Sequence, residues 1–132
     1  MNKKISIFWF RRDLRLDDNC GLFHALNNDH PVLPIFIYDQ NIIRKLKEND
    51  HRLFYINQSL EKMNVVLQKN NKSIHCLEGK PLHVFSELIK KYRINKVYTN
   101  RDYTPYSKKR DTYISKFLIN NNFSFSRSLN YH

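Results

Sequence analysis

The sequence predicts an α/β domain: a Rossmann-like, doubly wound, five-stranded parallel sheet in the order 3-2-1-4-5, flanked by helices. Three observations predict it. Short runs of branched and aromatic residues alternate with apolar stripes of helical period along all 132 residues. The first run, Ile5-Ser6-Ile7-Phe8-Trp9-Phe10, is apolar at nearly every position, as a strand covered on both faces must be. Helix-start signals at Asn19, Pro81 and Thr104-Pro105 each follow such a run or its exit loop. Right-handed crossovers and short loops then leave few topologies, of which this strand order is the commonest.

The first strand exits into Arg11-Arg12-Asp13-Leu14-Arg15-Leu16-Asp17-Asp18-Asn19, six charged residues packed among two leucines. Asn19 is the expected N-cap of a short helix from Cys20 to Asn28. Val32-Leu33-Pro34-Ile35-Phe36-Ile37-Tyr38 reads as the second strand. Pro34 has no N–H to give a ladder, so regular pairing is expected to begin after it or around a bulge. From His51 to Lys69, Leu53, Ile56, Leu60, Met63 and Leu67 step by three and four, which predicts an amphipathic helix.

Ser73 to Glu78 predicts a third strand ending at Gly79. Pro81 suits the first turn of a helix whose stripe is Leu82, Phe85, Leu88 or Ile89, and Tyr92. Lys96 to Asn100 is the fourth strand. Thr104-Pro105 opens a helix carrying Tyr106, Tyr113, Ile114, Phe117 and Leu118 inward, with Lys108-Lys109-Arg110 on a solvated face. Asn120-Asn121-Asn122 stops that helix, and Phe123 to Ser128 completes the sheet. Nothing resembles a repeat or linker, and the stop at Asn130-Tyr131-His132 reads as a domain boundary, so 1–132 is expected to be one domain.

Composition excludes several classes. A hydrophobic fraction of 41% and an aromatic fraction of 14% argue for a folded globule. No run approaches the ~20 apolar residues of a membrane span. Nor does the N-terminus carry a signal-peptide core, so no membrane partner and a cytoplasmic location are expected. Cys20 and Cys76 match no metal or redox spacing and are expected as buried free thiols. The six histidines are scattered, which predicts no metal site. A net charge of +11 implies a basic surface, but the lysines are too dispersed for a specific nucleic-acid patch.

Gly21 and Gly79 are the only glycines, so no glycine-rich phosphate loop exists. There is no nucleophile motif, and Asp17-Asp18 among arginines makes a poor acid/base pair. No catalytic residues are expected; the domain reads as a binder. In an open parallel sheet the ligand crevice lies beyond the carboxyl ends of the strands, where the strand order reverses. That point collects Phe10-Arg11-Arg12-Asp13 and Asn100-Arg101-Asp102-Tyr103-Thr104, with Tyr38-Asp39-Gln40 as a neighbouring wall. Arg, Asp, Asn and Tyr there suit a flat heteroaromatic ligand with polar edges. A mutually paired surface loop explains the same charges equally well. Trp9 and Tyr98 are expected in the core.

Trp9-Phe10-Arg11-Arg12-Asp13-Leu14-Arg15-Leu16-Asp17-Asp18-Asn19 resembles the opening signature of the DNA photolyase/cryptochrome family. Pro31 to Asp39 resembles that family's second strand, and Arg52-Leu53-Phe54 with Ser59-Leu60 its long helix. Asn100-Arg101-Asp102-Tyr103-Thr104-Pro105-Tyr106 with Arg110-Asp111 resembles its strand-four signature. The resemblance covers essentially the whole chain. It implies the family's N-terminal antenna domain, which holds a light-harvesting chromophore: a methenyltetrahydrofolate, a deazaflavin or a flavin. It implies as partner a larger helical C-terminal domain that holds the catalytic FAD and binds damaged DNA, where the photoexcited reduced flavin splits cyclobutane pyrimidine dimers. These residues lack that domain's features and are not expected to repair DNA alone.

Carried over by position, the resemblance implicates Arg11, Arg12, Tyr38, Asp39, Asn100, Asp102 and Thr104 in the antenna pocket. Many members have an acidic residue where this chain has Thr104, and that carboxylate helps hold a folate or deazaflavin. Threonine keeps a hydroxyl and loses the charge, which weighs against those two pigments. Cys20 stands where proline or alanine is common. Three other readings remain open: the domain of a cryptochrome photoreceptor, a module that docks a separate flavin domain without pigment, and a stand-alone nucleotide-binding protein.

Overall fold

The computed structural model describes residues 4–27, 29–46, 50–102, 104–121 and 123–128. The expected helix end at Asn28, the crevice residue Tyr103, the stop residue Asn122 and the tail Asn130-Tyr131-His132 lie outside them. The chain runs β1 (Lys4–Phe10), α1 (Cys20–Leu26), β2 (Val32–Asp39), α2 (Gln40–Ile43), α3 (Arg52–Gln68), β3 (His75–Gly79), α4 (Pro81–Lys91), β4 (Arg93–Asn100), α5 (Pro105–Asn120) and β5 (Ser124–Ser128). The sheet is parallel throughout in the order β3-β2-β1-β4-β5, as the sequence predicts.

β1 is central and covered on both faces, and strand alternation sorts its side chains. Ile7 and Trp9 enter a core with Val84, Phe85 and Leu88 of α4 and Ile114 and Leu118 of α5. Phe8 and Phe10 enter the opposite core with Leu22 and Ala25 of α1 and Leu60 and Met63 of α3. Edge-to-face ring contacts tie each layer: Trp9 to Phe85 at 5.2 Å and Phe8 to Phe10 at 4.7 Å between centroids.

Pairing does not wait for Pro34. β2 follows β1 from Val32 onward, with Phe8 opposite Pro34. The Pro31 carbonyl accepts from the Ser6 N–H, so the two-residue period turns the Pro34 nitrogen away from β1. It looks toward the β3 side, where the ladder starts only at Ile35 opposite His75. The missing donor therefore breaks nothing. β4 begins earlier than predicted because a bulge hides its start: Ile5 faces Ile94, but Ser6 faces Lys96. The extra residue, Asn95, lets Ile94 and Val97 reach the same core although three positions apart.

Other expectations are corrected. α2 was not predicted; its four residues are too short to show a period. The inward stripe of α4 is Pro81, Val84, Phe85 and Leu88, and Leu82 is 44% exposed. In α5 the buried stripe is Ser107, Arg110, Asp111, Ile114 and Leu118, so Tyr113 faces outward at 55% exposure. Arg110 is thus buried, not solvated. Cys20 is half-buried and Cys76 exposed, the latter because β3 is an edge strand.

Gly21 is required by a close approach of α1 to the sheet. A Cβ there would lie 2.8 Å from Asn100 Oδ1, 2.9 Å from Phe8 Cε1 and 3.1 Å from the Thr99 carbonyl carbon. Among the described residues no helix is long and apolar enough to cross a membrane.

Candidate functional site

β1 and β4 lie side by side, so their carboxyl ends deliver Arg11 and Asn100 to the same place. Arg11 turns inward: its guanidinium donates to the Asp111 carboxylate on α5 and to the Asn100 carbonyl. Its side chain is only 5% exposed. Burial pushes the Arg11 pKa down, and the Asp111 carboxylate opposes that by favouring the charged form.

The next arginine inward, Arg110, pairs with Asp39 at the end of β2, Nη1 to Oδ2 at 3.2 Å. Both guanidiniums sit 4.9 Å from the centroid of the Trp9 indole. Two cations share one ring because two buried carboxylates answer them: Asp111 pairs with Arg11 and also faces Arg110 Nε at 3.7 Å, and Asp39 pairs with Arg110. Asp39 does more than neutralise. Its Oδ2 also accepts from the Tyr106 hydroxyl at 2.8 Å, and its Oδ1 accepts from the Asn41 N–H at 2.9 Å, capping α2. Burial, with the neighbouring Asp39, pushes the Tyr106 phenol up.

Asn100 is the joint between strand and loop. Its Oδ1 accepts from the Gly21 N–H at 2.7 Å. Its Nδ2 donates to Asn19 Oδ1 at 2.7 Å and to the Asp13 carboxylate. Asn19 is the α1 cap predicted from sequence, its Oδ1 accepting from the Leu22 N–H at 3.1 Å. Thr104 caps α5 in the same way, accepting from the Ser107 N–H at 3.2 Å.

Asp102 faces the exposed Arg12, Oδ2 to Nε at 3.5 Å. Burial pushes the Asp102 carboxyl up. A hydrogen bond from the Ser107 hydroxyl, the Thr104 N–H and the Arg12 and Arg11 charges together outweigh it and hold the carboxyl below its ordinary value.

These residues frame a cleft of about 490 Å³ beyond the carboxyl ends of β1 and β2, within the usual range for small-molecule sites. One wall carries Arg11, Arg12, Asp39, Asp102 and Arg110. Phe10, Phe36, Leu46 and Tyr55 supply an apolar wall. Of the seven residues implicated by sequence, Arg11, Arg12, Asp39 and Asp102 line this cleft. Asn100 and Thr104 stand behind it as joint and cap. Tyr38 points to the α3 side, its hydroxyl donating to Asn57, and burial pushes that phenol up.

Arg110 and Trp9 also line the cleft and were not singled out as site residues. A signal for Arg110 existed: counting back four from Ile114 places it on the buried stripe of α5. Among the described residues no three His, Cys, Asp or Glu side chains gather as a metal site.

The buried Nε atoms of Arg11 and Arg110 have no hydrogen-bond partner within the protein. Buried donors are rarely left so. Both are shielded from solvent, and Arg110 Nε faces Asp111 Oδ1 at 3.7 Å, so they belong to the ion-pair layer beneath the cleft.

A parallel sheet in this order, flanked by helices and with a polar-edged cleft beyond its strand ends, defines an α/β domain of the doubly wound class. A family model of DNA photolyases matches residues 6–130, and the chain belongs to that family. It is 30% identical over 112 residues to a deoxyribodipyrimidine photo-lyase of Synechococcus sp., covering 85% of this chain and 23% of that protein. It is 33% identical over 111 residues to cryptochrome-2 of Gallus gallus, covering 84% and 19%. The chain thus spans about a fifth of the length of these relatives.

Among solved structures, an archaeal photolyase from Sulfolobus tokodaii is 34% identical with a TM-score of 0.81, over 94% of this chain and 29% of that one. That protein was described with two FAD molecules and an implied novel light-harvesting cofactor. A Synechocystis cryptochrome at 21% identity shares the fold, with a TM-score of 0.87 over 98% of this chain and 28% of that one.

Proposed function

We propose that this domain binds a light-harvesting chromophore in the cleft beyond β1 and β2, and belongs to a longer photolyase-type protein whose helical partner domain holds FAD. The observation that carries this reading is a cleft of ring-holding size at the strand ends, lined by Trp9, the arginines Arg11, Arg12 and Arg110, and an apolar wall. A bound folate, deazaflavin or flavin would supply near-ultraviolet or blue absorption and pass its excitation to the partner's flavin. The chain's own residues do the holding. Arg11 and Arg110 supply a polar, positively charged lining, the apolar wall excludes water from one ring face, and Arg12 and Asp102 close the outer edge. Asn100 and Thr104 fix the loops that carry Arg11, Asp102 and α5.

In the parent, light-driven electron transfer from FAD would split cyclobutane pyrimidine dimers, with damaged DNA bound by the helical domain. The cryptochrome relatives make a photoreceptor parent the alternative. The test is reconstitution of the full-length protein with methenyltetrahydrofolate, a deazaflavin and a flavin. Retention of a second pigment besides FAD, lost in an Arg110→Leu variant, supports the reading; FAD absorbance alone in every case overturns it.

A second reading is favoured by Arg12, whose side chain is 74% exposed at the cleft rim, and by the exposed Arg101. The rim would then dock a separate flavin domain without pigment. Tight association with such a domain, with no uptake of any chromophore, selects it.

A further inference from the structure

Lysines dispersed along the sequence are gathered in space by the parallel topology. All five strands start at one end of the domain, and α1, α3, α4 and α5 end there. That end collects the exposed Lys4 at the start of β1 and Arg93 at the start of β4, direct neighbours across the ladder. Lys69 and Lys72 lie between α3 and β3, and Lys90 and Lys91 close α4; all four are exposed. From β3 to β4 the row spans three strand spacings, about 14 Å. The ends of α3 and α4 widen it on both sides, because these helices cover opposite faces of the sheet.

Carboxylates are concentrated at the other end. Asp13, Asp17, Asp18, Asp39, Asp50 and Asp102 lie at the exits of β1, β2 and β4 or at the helix starts that follow. Among the described residues, the amino end has Asp29 from the loop before β2 and Glu87 from the second half of α4. Glu87 is answered by Lys90, Oε1 to Nζ at 3.8 Å. Helix C-termini favour cations, which accounts for Lys90 and Lys91 in the last turn of α4. It does not account for Lys4, Lys72 and Arg93, which lie outside the helices.

The exposed apolar side chains at this end, Leu26, Val66 and Ile119, stand on three different helices divided between the two faces of the sheet. The exposed aromatic pair Phe54 and Tyr55 is at the opposite end, in the first turn of α3. Among the described residues the cationic end thus carries no exposed aromatic anchor of the kind a membrane-surface face uses. Asn70 and Asn71 instead add exposed amides beside Lys69 and Lys72, side chains that join Lys and Arg in contacting phosphate and sugar. We propose that this amino-end face binds the phosphate backbone of double-stranded nucleic acid without reading its sequence, through Lys4, Lys69, Lys72, Lys90, Lys91 and Arg93. This contact is independent of the chromophore cleft, which lies beyond the opposite ends of the strands.

The probe is a fluorescein-labelled DNA duplex of about 20 base pairs and arbitrary sequence, titrated with the chain and followed by anisotropy from about 50 to about 200 mM salt. Log affinity is expected to fall against log salt with a slope of about −4 to −5, the yield of five or so neutralised phosphates. Lys72→Gln/Lys91→Gln is expected to make that slope shallower by about 2 and to weaken binding at least about tenfold near 0.1 M salt. Lys4→Gln/Lys69→Gln, on β1 and at the end of α3, should reproduce the loss. Lys108→Gln/Lys109→Gln removes the same charge from the start of α5, at the cleft end, and should change the affinity by less than about threefold.

An equal loss in all three double variants overturns the proposal, because net charge and not this face would then be acting. Absence of duplex binding at the lowest salt overturns it too. So does tighter binding to phosphatidylserine vesicles than to the duplex at matched phosphate concentration, which would make an anionic membrane the partner. None of these outcomes touches the chromophore reading.

Discussion

Arg11 and Asp111, separated by 100 positions in sequence, form a buried ion pair that ties the exit of β1 to the middle of α5. Beside it, Arg110 and Asp39 tie the same helix to the end of β2. The guanidiniums of both pairs lie 4.9 Å from the centroid of the Trp9 ring. The cleft floor is therefore a neutral but strongly polar layer set into an apolar core.

Removing one member of the first pair leaves the other charged and buried. Asp111→Ala is expected to destabilise the domain by about 3–5 kcal/mol in urea denaturation. The double variant Arg11→Met/Asp111→Leu should recover most of that loss, because it removes both desolvation penalties together. A double variant as unstable as the single one would mean that the pair acts through shape and not charge.

Gly21→Ala tests the approach of α1 to β4. The new methyl group meets Asn100, Phe8 and the Thr99 backbone at 2.8–3.1 Å, and the backbone atom has nowhere to go. Overpacking of this kind costs about 1–3 kcal/mol. The loss should appear as a lower urea midpoint with an unchanged slope.

Trp9 is the only tryptophan of the chain, and it both lies in the core and lines the cleft. Its emission should be blue-shifted and insensitive to iodide in the free protein. A ring bound against Arg11 and Arg110 would quench it, so titration of emission against pigment reads cleft occupancy directly. Pigment binding without any change in Trp9 emission would place the ligand elsewhere.

Asp50 supplies a pH test on the entry to α3. Hydrogen bonds from the Arg52 guanidinium and backbone N–H hold its carboxyl at about 2, below the ordinary 3.8. A depressed carboxylate contributes stability that is present above the ordinary value and is lost as pH falls through the folded one. The window is therefore about pH 4 down to 2. Carboxyl-carbon NMR should find the Asp50 midpoint there, and Arg52→Ala should raise it toward 3.8.

The parts of this domain that the sequence by itself determined are those written at short range. The unbroken apolar run Ile7-Phe8-Trp9-Phe10 marks a strand buried on both faces, and the caps Asn19 and Thr104 act on N–H groups three residues away. From such signals the elements, their parallel order and the end of the sheet that carries the cleft all follow. Bulges and very short helices escape them, which is why Asn95 and α2 were missed: neither spans enough residues to display a period.

The interior of the cleft was decided only by tertiary structure. Nothing local distinguishes Arg11, buried against Asp111, from Arg12, left in solvent beside Asp102. Nor does composition tell Arg110 from the lysines before it. A charge can be buried only where a partner from another element is already waiting, and that partner's position is a property of the assembled sheet and helices. Spacing fixed which residues stand near the strand ends; packing decided which of them turn inward and meet.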